Sequence, residues 1–217
     1  MGLQRTRHAL IVANGEPPPR ALLRRVLSTC DLYVCADGGA NTASRYRLYP
    51  HVIIGDLDSV RRAALRRMRT TDVIRIPEQD STDLEKALAW TIDRGYRTVT
   101  VLGATGGRLD HVAGNLSALA KYSRHAHIRF MDADGELLSV GRRLVLDLPR
   151  GTTVSLIPVG RCRGVSTRGL RWNLRNDVLE PGVRDSTSNV VTRREVTVSV
   201  GRGQLLFFRV FNALRRS

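Results

Sequence analysis

Through roughly the first 130 residues, short apolar segments alternate with stretches in which apolar residues recur at helical spacing. The short segments are typical of buried strands, and the periodic stretches are typical of amphipathic helices. Strands are predicted at 8–14, 31–37, 51–56, 73–77, 98–104 and 127–133, and helices at 20–30, 38–48, 59–68, 81–95 and 110–122. This alternation produces parallel β-α-β units, so we predict an α/β fold with an open, mostly parallel sheet and helices on both faces.

Hydroxyl side chains mark the beginnings of two of these helices. Ser59 is predicted to cap the third helix, and Ser81 or Thr82 the fourth, because their oxygens can accept the first free backbone N–H groups.

The pattern changes after residue 134. Six strand-like segments follow, separated by glycine, proline and polar turns: GELLSVG, RLVLDLP, TTVSLIPV, GVSTRGLRWNL, EVTVSV and QLLFFRVF. No long helical pattern intervenes, which favours a smaller all-β, sandwich-like domain. The predicted domains are therefore 1–134 and 135–217.

Polar residues gather after five successive predicted strands, where ligands of open α/β sheets usually bind. Asp56 and Asp58 are the most informative, because two carboxylates at i and i+2 repel each other unless a turn at Gly55 brings them onto one cation. Magnesium prefers such oxygen ligands together with substrate phosphates. Simple helix capping and loop solvation is the alternative for any single residue of this group. The six aspartates at this edge are Asp37, Asp56, Asp58, Asp80, Asp83 and Asp110.

A glycine-rich segment, GATGGRLDH at 103–111, follows the fifth strand. It lacks the Gly-Lys-Ser/Thr ending of a Walker A loop, and it does not match the dinucleotide fingerprint. Its backbone N–H groups can still approach phosphate at a helix start, with Arg108 as a charged fork. The alternative interpretation is that the segment is only a turn between a strand and a helix. His111 is predicted to bond or face phosphate rather than to transfer a proton.

The charge of +15 comes almost entirely from arginine, because only Lys86 and Lys121 among 35 basic residues are lysine. The arginines are scattered along the chain and no nucleic-acid motif accompanies them, so we predict a solvated surface that attracts anions such as ATP and binds no specific nucleic acid. Three cysteines without a C-x-x-C pair indicate free thiols. With no apolar run of about 18 residues and no secretory signal, a cytoplasmic protein without membrane association is expected.

Six motifs then identify a resemblance. ADGGAN (36–41), GDLDS (55–59), QDSTDLEKAL (79–88) and LGATGGRLDH (102–111), followed by GLRWNL (169–174) and STSN (186–189), resemble the motif series of the thiamin pyrophosphokinase family. The likeness spans nearly the whole chain in the same order. It implies ATP-dependent transfer of a pyrophosphoryl unit to the hydroxyl of thiamin, which yields thiamin diphosphate and AMP, with Mg²⁺ as cofactor.

The resemblance also implies a homodimer in which thiamin lies between one subunit's α/β domain and its partner's β domain. By position, the catalytic and metal-binding residues are Asp56, Asp58 and Asp83. The residues that complete the nucleotide and thiamin sites are Asp37, Asp80, Thr82, Gly106, Arg108, Asp110, Trp172, Ser188 and Asn189. The chain departs from the family around Glu78 and Gln79 and after Asn189, where no glycine follows.

Three other functions remain to be distinguished. A pyrophosphokinase for another heterocyclic alcohol, such as a hydroxymethylpterin, would release AMP with that acceptor. A basic nucleic-acid-binding protein would bind DNA in a salt-dependent way without turnover of thiamin. A ligand sensor would bind thiamin without forming AMP.

Overall fold

A computed structural model describes residues 6–211 of the chain. The chain divides into two compact units, Met1–Ala133 and Asp134–Ser217, which we call the α/β unit and the β unit. Among the described residues, none of the helices combines the length and apolar character needed to cross a lipid bilayer.

The α/β unit alternates strands and helices along the chain, as the apolar pattern predicts. Its strands are β1 (His8–Val12), β2 (Leu32–Ala36), β3 (Val52–Gly55), β4 (Asp72–Arg75), β5 (Thr98–Leu102) and β6 (His127–Met131). Its helices are α1 (Arg20–Leu27), α2 (Gly39–Tyr46), α3 (Arg62–Arg67), α4 (Asp83–Asp93) and α5 (Leu109–Tyr122).

The strands of this unit are ordered β6-β5-β1-β2-β3-β4, and every neighbouring pair is parallel. The chain therefore reverses its direction of travel across the sheet between β4 and β5. Right-handed crossovers place α1 to α3 on one face and α4 and α5 on the other. Contacts of α2 with α3, and of α4 with α5, agree with that division. The reversal opens a crevice beyond the carboxyl ends of β1 and β5.

Strands covered by helices on both faces are apolar at nearly every position, and this accounts for the continuous apolar runs in the sequence. Leu10 and Ile11 of β1, together with Ile53 and Ile54 of β3, are fully buried. A rigid core thus lies directly beneath the loops at the carboxyl edge.

The two predicted caps have different outcomes. Thr82 is the N-cap of α4 and forms a capping box with Glu85, which confirms one of the two predicted residues. The Ser59 prediction is wrong, because α3 begins at Arg62. Asn41 holds the preceding segment away from helical geometry: its amide donates to the Ser59 carbonyl, and its oxygen accepts the Arg61 N–H.

In the described part of the β unit, residues 134–211, the chain forms eight strands. They are β7 (Gly135–Ser139), β8 (Arg143–Asp147), β9 (Thr153–Pro158), β10 (Cys162–Arg168), β11 (Asp177–Leu179), β12 (Ser186–Val190), β13 (Glu195–Ser199) and β14 (Leu205–Val210). Antiparallel pairs give the orders β12-β9-β14-β7 and β11-β10-β13-β8. Apolar residues of both groups share one buried core, as in a sandwich.

Two features of the β unit differ from the sequence prediction. The GLRWNL segment is not a strand, because β10 ends at Arg168 and residues 169–176 form a loop. The short strands β11 and β12 were not predicted. β11 has only three residues, too few to show an alternation, and β12 is polar at every position but its last.

Candidate functional site

A cleft of about 650 Å³ lies at the carboxyl edge of the α/β sheet. Loops that follow each of β1 to β5 line it, so one surface collects side chains from distant parts of the chain. Its lining includes Asn14, Asp37, Asp56, Gln79, Asp80, Thr82, Asp83, Lys86, Gly106, Arg108, Asp110 and His111.

Three carboxylates converge in this region. One oxygen each from Asp37, Asp56 and Asp58 lies within 4.8 Å of the others. Asp37 is only 2% exposed, and its Oδ1 is buried without a hydrogen-bond partner. Burial raises the pKa of the Asp37 carboxyl above its usual value, although a hydrogen bond from the Gly38 backbone opposes the shift. The cluster therefore concentrates negative charge around an acceptor that no protein group satisfies.

The turn between Asp56 and Asp58 is made by Leu57, whose φ of 69° lies in the left-handed region. The Asp58 N–H donates to Asp56 Oδ1 at 3.1 Å and closes the turn. The prediction for Gly55 was an unusual backbone angle, and its φ of 157° confirms it. A Cβ atom on Gly55 would lie 2.8 Å from the Asp37 Cβ, so glycine permits β2 and β3 to bring their aspartates together.

Asp83 lies beside the cluster but outside the group of three. Its Oδ1 accepts the Asp56 N–H at 3.2 Å and the Lys86 ammonium at 3.3 Å. The Lys86 side chain is only 3% exposed, so a fixed positive charge is buried next to the aspartates. The same carboxylate oxygen thus ties the loop after β3 to helix α4.

The segment before α4 is organised by Glu78 and Gln79, the two residues at which the chain departs from the family. Glu78 accepts the N–H groups of Asp80 and Ser81 and the hydroxyl of Ser81, whereas Gln79 donates its amide to Asp56 Oδ2. The Asp58 N–H and then the Gln79 amide lower the pKa of Asp56. Asp80 is exposed and lines the cleft.

The glycine-rich loop requires its glycines. Gly106 has φ of 76°, and a Cβ atom there would lie 2.5 Å from the Glu16 Cβ. Arg108, at the N-cap of α5, is bonded through both Nε and Nη2 to the Asp110 carboxylate, at 3.1 and 2.6 Å. That hydrogen bonding lowers the pKa of Asp110 to about 2. His111 also lines the cleft.

The three predicted residues of the β unit occupy different environments. Trp172 is 57% exposed and lines a groove of about 330 Å³, so its indole does not belong to the core of the β unit. Asn189 is buried, and its amide bonds both the N–H and the carbonyl of Trp172. Ser188 has a left-handed φ of 56°, donates its N–H to Ser155, and does not line that groove.

Sequence reasoning missed two contributors to the cleft. Lys86 carried a usable signal, because it is one of only two lysines and lies three residues after Asp83. Asn14 follows β1, and an asparagine after a strand is common in loops, so its residue type gave no specific signal. The Asn14 side chain packs closely on Gly38, because a Cβ atom on Gly38 would lie 2.2 Å from the Asn14 Oδ1.

Family models match both parts of the chain. The model described as "Thiamin pyrophosphokinase, catalytic domain" matches residues 23–131, and the model described as "Thiamin pyrophosphokinase, vitamin B1 binding domain" matches residues 143–205.

Individual proteins agree with the family models. Thiamine pyrophosphokinase 1 from Arabidopsis thaliana is 34% identical, covering 89% of this chain and 82% of the plant protein. A crystal structure of thiamin pyrophosphokinase from Geobacillus thermodenitrificans is 28% identical with a TM-score of 0.80, covering 95% of this chain and 98% of that one. The Bacillus subtilis structure, at 24% identity, has a TM-score of 0.81 over 95% and 100% of the two chains, which supports the fold.

Proposed function

Because the chain belongs to the thiamin pyrophosphokinase family, we propose that it transfers a pyrophosphoryl unit from ATP to the hydroxyl of thiamin. The hydroxyl oxygen forms a bond to Pβ, while the bond from Pβ to the oxygen of the α-phosphate breaks and AMP leaves. In-line transfer of this kind depends mainly on positioning and charge neutralisation.

The observation that carries the proposal is the convergence of the carboxylates of Asp37, Asp56 and Asp58, together with the buried Oδ1 of Asp37, which has no hydrogen-bond partner. An all-oxygen donor set is what Mg²⁺ prefers, so the residues fit this ion. Asp37, Asp56 and Asp58 would hold it, and when bound it would neutralise phosphate oxygens. The sequence prediction placed Asp83 in the metal set; its bonds to Lys86 and to the Asp56 backbone favour a supporting position instead.

The protein's own groups then orient the nucleotide. Gln79 and Asp83 fix the side chain and the backbone of Asp56, and the Lys86 ammonium adds positive charge beside the transferred phosphates. The glycine-rich loop and the start of α5 line the same cleft, and free N–H groups at a helix start suit phosphate oxygens. Arg108 is exposed, so it can exchange its contact with Asp110 for a phosphate.

Thiamin carries a cationic thiazolium ring, which an exposed indole attracts through its face. Trp172 offers such a face, held in place by Asn189. The proposed assembly is a homodimer in which Trp172 of one subunit completes the partner's site. Three free cysteines support a reducing compartment such as the cytoplasm.

The test measures AMP and thiamin diphosphate with and without Mg²⁺. Asp58→Asn should abolish turnover while the protein remains folded, whereas Asp72→Asn, at an exposed position on β4, should leave it near normal. Near-normal turnover of Asp58→Asn at saturating Mg²⁺ would refute the metal assignment. AMP release with a hydroxymethylpterin but not with thiamin would favour a pterin pyrophosphokinase, and saturable thiamin binding without AMP would favour a ligand sensor.

Subunit mixing tests the shared site. Asp58→Asn and Trp172→Ala proteins are combined, and turnover at low thiamin is measured after exchange. Random pairing makes about half of the dimers mixed, each with one intact composite site, so roughly a quarter of wild-type activity should return. If exchange is verified and activity stays at the parental average, each site lies within one subunit.

A further inference from the structure

The β unit contains a second groove, of about 960 Å³, that the proposed reaction does not use. Its floor is the outer face of β8, β13 and β10, and its walls come from residues 169–176 and 192–193. It shares Asn173 and Leu174 with the smaller Trp172 groove, but it does not include Trp172.

The floor follows from strand alternation. On β13, Val196 and Val198 enter the buried core, so Thr197 and Ser199 face outward. On β10, Val165 is buried in the core, and Ser166 faces the groove. Within the groove, the outward positions of β13 and β10 thus include three small hydroxyl side chains, and the exposed Val145 of β8 pairs with Thr197 on the same face.

Four arginines surround that floor: Arg143, Arg168, Arg175 and Arg193. All four are exposed, and the groove lining contains neither a carboxylate nor an aromatic ring. Among the residues that the structure describes, none of the four forms an ion pair, whereas other arginines of the unit do, including Arg161 with Glu180 and Arg184 with Asp177.

Register places two of these arginines around the hydroxyl floor. Arg143 pairs with Ser199, and Arg168 pairs with Thr197, two positions along β13. Because β8 and β10 lie on opposite sides of β13, the Cα atoms of Arg143 and Arg168 are two strand spacings apart across the sheet and two residues apart along it, a distance of about 12 Å. Both side chains can therefore reach an anion that spans Thr197 and Ser199.

Carboxylates on the same sheet face lie beyond the groove. Glu195 and Asp147 form the next cross-strand pair, and Asp147 is bonded by both Nε and Nη2 of Arg194. The positive charge of the groove is consequently not neutralised from its own floor.

We propose that this groove binds a short polyphosphate, either free or as the triphosphate tail of a nucleotide. Guanidinium groups match phosphate oxygens with paired N–H donors, and the serine and threonine hydroxyls add donors beneath them. A nucleic acid is disfavoured, because single-stranded bases are usually bound by stacking on aromatic rings. The groove shares no lining residue with the cleft that contains the aspartates.

The test measures binding of tripolyphosphate to the full chain by calorimetry, with EDTA and at two salt concentrations. The double variant Arg143→Ser/Arg168→Ser should bind at least about tenfold more weakly, because two charge-assisted contacts are lost. The matched control Arg142→Ser/Arg163→Ser removes the same charge at exposed positions of the same region, outside the groove, and should change affinity less than about twofold.

Three results would overturn the proposal: no binding by the wild type at millimolar tripolyphosphate, equal losses in the two double variants, or a loss of binding in Arg108→Ser, which would place the anion in the other cleft. If the first double variant does not fold, Arg175→Ser/Arg193→Ser replaces it, with the same expectation.

Two further ligands identify the source of the anion. Comparison of ATP with tripolyphosphate, both without Mg²⁺, distinguishes the triphosphate tail of a nucleotide from a free polyphosphate. Tighter binding of either ligand supports the site if Arg143→Ser/Arg168→Ser abolishes that binding. A single-stranded RNA 20-mer that binds through the same arginines more than about tenfold tighter than tripolyphosphate at 0.15 M salt would replace the proposal with a nucleic-acid site.

Discussion

Replacement of Lys86 by methionine tests whether the charge pair within α4 stabilises the Asp83 carboxylate, which accepts the Asp56 N–H of the loop after β3. Methionine keeps most of the apolar stem, so the main change is loss of the ammonium that bonds Asp83 at 3.3 Å. We expect the free energy of unfolding of the α/β unit to fall, because Asp83 keeps its charge without its main partner.

The magnitude follows from the exposure of the two side chains. Removal of one member of a fully buried pair costs about 3–5 kcal/mol, and an exposed pair contributes about 0–1 kcal/mol. Lys86 is 3% exposed and Asp83 is 28% exposed, and Asp83 keeps the Asp56 N–H. The expected loss is therefore about 2 kcal/mol.

Lys121 provides a matched control, since it is the other lysine of the chain and also bonds a carboxylate of α4, Glu85, at 2.8 Å. Its side chain is 62% exposed, so Lys121→Met should cost at most about 0.5 kcal/mol. Urea unfolding is followed by Trp90 fluorescence in a Trp172→Phe background, because these are the two tryptophans of the chain.

A double-mutant cycle with Asp83→Asn isolates the pair itself. Neutralising Asp83 in the Lys86→Met protein should recover about 1 kcal/mol or more, because no unpaired buried charge then remains. A coupling energy below about 0.5 kcal/mol, or equal losses in Lys86→Met and Lys121→Met, would refute the reasoning.

Three other predictions concern single residues. Burial raises the pKa of Asp37, so the folded protein loses stability as the pH rises from the usual aspartate pKa through the pKa of the folded state. Metal-free Asp37→Asn should therefore be more stable than the wild type at pH 7. Urea titrations in which the difference between the two proteins stays constant from pH 4 to 7 would contradict this. Trp172→Ala should raise the KM for thiamin far more than the KM for ATP. Because the ring is 57% exposed, the free energy of unfolding should change by less than about 0.5 kcal/mol, and a larger loss of stability would indicate that the ring packs in the core. Thr82→Ala should cost about 1 kcal/mol in urea unfolding by removing the α4 cap, and Ser81→Ala, which lies outside the capping box, should cost less; equal costs would speak against the capping assignment.

Much of the α/β unit could be predicted because its information is local. Apolar runs identify parallel strands that are covered on both faces, and parallel strands bring their carboxyl ends to one edge. The convergence of Asp37, Asp56 and Asp58 follows from that rule and from a glycine where β2 and β3 approach each other.

The details that were missed depend on contacts distant in sequence. Asn41 determines where α3 begins, although it lies well before that helix. Leu57 adopts a left-handed conformation that its side chain disfavours, so its residue type gives no signal for the turn. The Asn189 side chain fixes the Trp172 loop through hydrogen bonds to the backbone of Trp172, 17 residues earlier in the chain, and no local sequence pattern predicts such a contact.

The strand order of the α/β unit also has a consequence for folding. β2 and β3 are consecutive, so their aspartates can meet through local pairing, but the glycine-rich loop joins them only when Thr98 of β5 pairs with His8 of β1. Closing so long a segment carries the largest entropic cost of this sheet, and contacts of this kind slow folding. We therefore expect the three aspartates to meet before the remaining walls of the cleft form, and a cation that screens them to accelerate the early step more than the late one.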